Sequence, residues 1–236
     1  MNLVDQIKAN LKDYYEKEGI EPNRFACRNI EQCKGDYARG MQCYLGSEYG
    51  KKTKILVASL DCGNGGHNDM ETQTVNVLAD AANGGNDRHM KGTYGALSLF
   101  YGADMPSSQI VRYIAMTNTC KCCRQAYAKN PSNHMPYSFF WNCREHTVNE
   151  ILLLRPDIIL FQGKLAPIGC QEMMTPVDDS TLKDYLFVLR YKGLTCYAVK
   201  CIHPSARGRS ASKRKTFYKD TLPIIVDYIK KHRLAV

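Results

Sequence analysis

Three polar residues each close an apolar run: Asp61 after residues 54–60, Asn118 after 112–117, and His203 after 195–202. Runs this short and this apolar read as buried parallel strands, and residues 157–161 form another. Open α/β sheets bind ligands outside the carboxyl ends of their strands. A carboxylate, a carboxamide and an imidazole would therefore gather at one edge of the sheet. Just beyond His203 lies a second chemical feature. Arg207, Arg209, Lys213, Arg214 and Lys215 are interleaved with Gly208, Ser210, Ala211 and Ser212. Small residues leave the backbone open to close approach, and the cations suit phosphates.

The charge is concentrated in that region. Lys and Arg outnumber Asp and Glu by 32 to 23, a net charge of +9. Nine basic and two acidic residues fall between Cys201 and Val236, so +7 of the +9 belongs to the last 36 residues. The third feature is eleven cysteines. In a reducing compartment, clustered cysteines hold metal or serve as small core residues rather than forming a disulfide framework.

The elements that must position these groups alternate. A helix is predicted over residues 3–18, with Leu3, Ile7, Leu11 and Tyr14 at helical spacing. Another covers 142–154 and stops at Arg155-Pro156, and a last one runs from about 217 to 231. Strands separated by helices imply an α/β fold: a mostly parallel central sheet covered by helices on both faces, in three α/β/α layers. The chain of 236 residues is expected to form a single domain over 1–236, with residues 1–50 an N-terminal helix and cysteine-bearing segment packed on it. Residues 64–91 are expected to hold a loop and a short helix. No apolar run is long enough for a transmembrane helix, and the N-terminus lacks the pattern of a signal peptide. A cytoplasmic monomer without membrane contact is expected.

Four segments, in order, resemble the uracil-DNA glycosylase superfamily, and most closely its iron–sulfur (family-4-type) branch. They are Ile55 to Gly63; Tyr113 to Cys122, a strand ending in Asn118 with a cysteine four residues later; Cys143 to Gly163; and His203-Pro204-Ser205. Together they span roughly residues 25 to 210. The resemblance implies a monofunctional DNA glycosylase that hydrolyses the N-glycosidic bond of a flipped-out damaged base, uracil first, with damaged DNA as partner. It also implies a 4Fe–4S cluster on Cys27, Cys33, Cys122 and Cys143. Four thiolates equally suit a tetrahedral zinc, and Cys43, Cys120 and Cys123 are rival ligands.

Glycosidic cleavage leaves cationic character on the sugar and negative charge on the base. The resemblance assigns Asp61 to the sugar cation and water, and His203 to the departing base. Asn118 is assigned to the base edge, and Tyr94, within Lys91-Gly92-Thr93-Tyr94-Gly95, to stacking. Ser205, Arg207, Arg209, Lys213 and Arg214 would engage DNA. The chain departs from the branch pattern at position 60, where Leu60 stands in place of the acidic residue; Asp69 and Glu71 are the fallback carboxylates. That departure supports an alternative, a non-catalytic or altered-specificity nucleic-acid-binding relative that keeps the fold and cluster.

Overall fold

The computed structural model describes residues 2–22, 24–33, 37–38, 40–60, 69–124, 137–232 and 234, with backbone only at 37–38 and 123–124. Its frame is a seven-stranded sheet in the order β2-β4-β3-β6-β9-β8-β7. The strands are β2 (Tyr44–Leu45), β3 (Ile55–Ser59), β4 (Ile114–Asn118), β6 (Ile158–Gln162), β7 (Met174–Pro176), β8 (Leu186–Tyr191) and β9 (Leu194–Cys201). The central four, β4-β3-β6-β9, are parallel, while β2, β8 and β7 pair antiparallel at the edges. A separate antiparallel pair joins β1 (Tyr37–Ala38) to β5 (Cys123–Arg124).

Side chains alternate between the faces of a strand, and both faces are covered. Ile55, Val57, Ile158, Leu160 and Val199 pack against helices α3 (Met70–Ala82), α4 (Arg88–Tyr101) and α9 (Leu222–Lys231). Leu56, Ala58, Ile159, Phe161 and Ala198 face α1 (Leu3–Lys17) and α7 (Arg144–Leu154). This is the expected three-layer α/β/α arrangement. Arg155 adopts a left-handed φ of 45° before Pro156 and ends α7 there.

The region expected to hold a loop and a short helix is different. It contains the thirteen-residue α3 and the start of α4. Each opens on an aspartate N-cap: Asp69 accepts the Thr72 N–H at 2.7 Å and Asp87 accepts the Met90 N–H at 2.8 Å. The β8–β9 hairpin was also not anticipated. Lys192 and Gly193 both take positive φ, 45° and 74°, the twist that joins antiparallel strands through a two-residue turn. Among the described residues no helix is long and apolar enough to cross a membrane.

Candidate active site

Pairing register brings the carboxyl ends of the parallel strands level. Ser59 is opposite Asn118, and Gln162 is opposite Cys201, two residues before His203. Asn118 and His203 thus close strands separated by three inter-strand spacings, about 14 Å of backbone. Asn118 is partly exposed, and among the described residues nothing bonds to its carboxamide, which leaves both donor and acceptor for a ligand.

His203 is held by the two residues that follow it. The Ser205 backbone N–H donates to Nδ1 of His203 at 3.3 Å, and the Ser205 hydroxyl lies 2.9 Å from the same nitrogen. A backbone N–H can only donate, so Nδ1 accepts. In the neutral ring the proton then sits on Nε2, where it can be given to an acceptor. Arg214 donates to the carbonyls of Pro204 and Ala206 at 3.3 and 3.0 Å, and Tyr218 donates to Ile202 O at 2.7 Å. Arg214 therefore braces the turn behind His203 and is not displayed toward a phosphate. Arg207, Arg209 and Lys213 are exposed, and α8 (Ser210–Thr216) begins within this segment. The stretch after Ser205 is consequently a short turn leading into a basic helix.

The sequence did not single out four further residues at this edge. Gln162, 1% exposed at the end of β6, accepts from the Ser59 hydroxyl at 3.0 Å and bonds to Nε2 of His89 at 2.7 Å through its Oε1. Its Nε2 donates to Thr93 Oγ1 at 2.9 Å, while the Thr93 hydroxyl donates to His89 O, also at 2.9 Å. The His89 ring stacks on His203 with centroids 4.8 Å apart and planes inclined by 28°. A glutamine ending an otherwise apolar strand was the available signal.

Tyr94 lies elsewhere. Its ring is buried in the core between α3 and α4, and its hydroxyl donates to Asp80 Oδ2 at 2.8 Å. Burial first, then the Asp80 carboxylate, pushes its pKa well up. It is a packing residue here, with no face to offer a base. Asp61 falls outside the described residues. Of the fallback carboxylates, Asp69 caps α3 and Glu71 pairs with Lys12 at 2.9 Å on the surface. Position 60 is apolar for a visible reason: Leu60 packs beside the cysteine-rich cluster and within 3.1 Å of where a Cβ on Gly163 would sit. Next to His203 a cavity of about 530 Å³, with Lys164, Lys200 and Ala206 on its wall, has the size of a small-molecule site.

On the far side of Leu60 the cysteines assemble. Cys33, Cys120, Cys122 and Cys143 share a buried cluster with Phe139, Phe140 and Ile168, flanked by Phe25 and Leu60. Cys120 and Cys122 sulfurs are 4.0 Å apart, Cys143 and Cys33 are near enough to raise the Cys27 thiol, and Cys143 to raise Cys33. Cys27 and Cys33 are raised by burial first. Cys143 is pushed well up by its hydrogen bond with Cys120, and Cys120 by its bond with Cys122. N–H groups already point at sulfur: Lys121 N on Cys143 at 3.5 Å and Asn142 Nδ2 on Cys33 at 3.3 Å. Nε2 of His146 lies 3.3 Å from the Cys27 sulfur. Among the described residues no three His, Cys, Asp or Glu side chains converge on one ion-sized point. Cys43 lies apart, in the core under α1 beside Tyr15.

Between cysteines and sheet, Lys121 and Glu150 form a buried ion pair at 2.6 Å, their side chains 1% and 0% exposed. Thr117 and Tyr15 donate to the same carboxylate at 2.6 and 2.5 Å. The segment carrying Cys120 and Cys122 is thereby pinned to α7 and α1.

A mixed, mostly parallel sheet between two helical layers, with histidines and amides gathered at its strand ends beside a basic segment, defines a three-layer α/β protein. The family model described as the uracil DNA glycosylase superfamily matches residues 87–224, more than half of the chain, and the chain belongs to that superfamily. No curated protein matches the chain.

Proposed function

We propose that this chain is a monofunctional DNA glycosylase that hydrolyses the N-glycosidic bond of a flipped-out damaged base, uracil first among the candidates. The observation that carries the reading is the pairing of His203 Nδ1 with Ser205 at the end of the parallel strands. With Nδ1 accepting from the Ser205 N–H, the proton of the neutral ring belongs to Nε2, the nitrogen that would donate to the base as negative charge develops on it. Asn118, at the end of β4, supplies a paired donor and acceptor for the base edge. The Asp61 carboxylate would stabilise the sugar cation and orient water. Arg207, Arg209 and Lys213 would neutralise phosphates around the flipped nucleotide.

The cysteine set suits an iron–sulfur cluster. Its sulfurs come from separate segments, Cys33, Cys122 and Cys143 within an apolar wall and Cys27 beside His146, with N–H donors aimed at Cys33 and Cys143. A lone zinc, the alternative, would need four thiolates about 2.3 Å from one point. When bound, the cluster would tie the N-terminal segment to the sheet.

The test is a strand-cleavage assay with single- and double-stranded oligonucleotides carrying one uracil, followed by alkali. Alkali-dependent cleavage that disappears in Asp61→Asn while DNA binding persists supports the reading. DNA binding without cleavage of uracil or of a panel of deaminated and alkylated bases supports the non-catalytic alternative that Leu60 motivates.

A further inference from the structure

We infer that the groove between α4 and α8 is a second DNA site, holding the phosphate backbone of nucleotides that flank the flipped one. The inference takes its ligand from the DNA reading above but needs no base excision. The groove has a volume of about 670 Å³. Arg88 and Lys91 stand on its α4 wall, and Arg214 and Lys215 on its α8 wall. Among the residues that line it Asp87 is the one carboxylate, and it already accepts the Met90 N–H at 2.8 Å. Arg88, Lys91 and Lys215 are exposed, and among the described residues none of them belongs to an ion pair. Arg214 keeps its guanidinium on the turn and adds only its charge. Four cations against one occupied carboxylate suit a polyanion.

The groove is continuous with the site at the strand ends. One turn walls both spaces: Pro204 lines the groove, while His203 and Ala206 line the cavity beside it. A strand with one nucleotide at His203 therefore has a basic track across the turn. Glycine keeps the α4 wall of that track low. Gly92 is required by the fold, since Pro204 packs on it. Gly95 is different: it is exposed, it lines the groove, and among the described residues a Cβ on it would meet nothing within 4 Å. A glycine within a fourteen-residue helix destabilises it relative to other residues, and packing does not account for this one. Close approach of a strand to bare backbone does.

The probe is a single-stranded oligonucleotide carrying one 2′-fluorinated deoxyuridine, which resists glycosidic cleavage, so that binding is read without turnover. Lys91→Gln with Lys215→Gln removes one cation from each wall. The Kd should rise roughly 5- to 20-fold, and the slope of log K against log salt should flatten by about 1.4, two phosphate contacts at about 0.7 each. Lys17→Gln with Lys192→Gln removes the same charge from the end of α1 and from the β8–β9 hairpin, both exposed, and should leave the slope unchanged. Gly95→Gln keeps the charge and fills the groove, so binding should weaken several-fold while the Tm does not fall. Wild-type Kd and slope in the Lys91 and Lys215 pair overturn the inference, and the groove would then belong to an acidic protein surface. Equal flattening in the Lys17 and Lys192 pair, or unchanged binding in Gly95→Gln, also overturns it. A wild type that excises no base but binds the probe through the groove fails the excision reading alone. A wild type that binds neither the probe nor its duplex fails both.

Discussion

Gly92 in α4 and Pro204 in the turn after β9 touch so closely that a Cβ on Gly92 would fall 2.8 Å from the Cβ of Pro204. The absence of a side chain at position 92 is what lets the His203-Pro204-Ser205 turn settle onto the helix that carries His89. Gly92→Ala removes a helix-destabilising glycine, a gain of up to about 1 kcal/mol. It also forces the turn outward, an overpacking cost of about 1–3 kcal/mol. The net expectation is a small loss of stability and a disproportionate loss of function. A fall of Tm of a few degrees with at least about a 10-fold fall in single-turnover excision is expected. An unchanged rate would show that the turn can shift without disturbing His203.

The buried pair Lys121–Glu150 makes a sharper stability prediction. Glu150→Gln leaves a buried ammonium without its counter-charge, and breaking such pairs costs about 3–5 kcal/mol. Replacing both partners, as Lys121→Met with Glu150→Leu, removes the desolvated charges together and should recover most of that loss. The Thr117 and Tyr15 hydroxyls would lose their acceptor in the double variant, so recovery should be incomplete by about 1–2 kcal/mol. Denaturant midpoints of the two variants and the wild type decide it.

The central sheet was legible because its strands are short, apolar and separated by helices, and each ends in a polar residue that breaks the run. The place of His203 just beyond a strand end was legible for the same reason, and the structure adds what the proline and serine after it do: Pro204 docks on Gly92 and Ser205 bonds to Nδ1 of the ring. His89, Thr93, Gln162 and Ser59 were not legible, because their chemistry arises only when three strand ends and a helix start meet. Tyr94 shows the opposite error. A motif placed an aromatic near the cleft, but on α4 it shares the inward face with Ala96 and Leu97 and enters the core. Arg214 looked like one more cation in a basic run, and only the fold shows its guanidinium turned back onto the chain.

Asp69 supplies a prediction about pH. Its carboxylate is held below the usual range mainly by the backbone N–H of Thr72 at the start of α3. A carboxyl whose folded pKa is depressed binds its proton more readily in the unfolded chain. Its stabilising contribution is present above the unfolded pKa, near 4, and is lost as pH falls through the lower folded value. Asp69→Ala should therefore cost about 1 kcal/mol at pH 7 and progressively less below pH 4, when compared with wild type by urea denaturation. A cost that does not change with pH would mean that the cap acts without its charge.

The last prediction concerns the cysteines, and turns on which sulfurs share a ligand. Protein purified without oxygen should contain iron and acid-labile sulfide in equal amounts. Cys122→Ser and Cys143→Ser should each lose more than about half of both, because oxygen replaces a thiolate that iron–sulfur sites require. Cys196→Ser is the control: Cys196 is buried in β9 within the sheet core, on no face shared with the cysteine-rich cluster, so iron should be retained. Cys27 and Cys120 compete for the remaining place. Cys27 contacts His146, while Cys120 lies against Cys122 and Cys143. If Cys27 is the ligand, Cys27→Ser strips iron and Cys120→Ser keeps it; the reverse result moves the N-terminal segment out of the ligand set. Zinc in place of iron and sulfide, lost in the same variants, would show that the sulfurs close around a single ion.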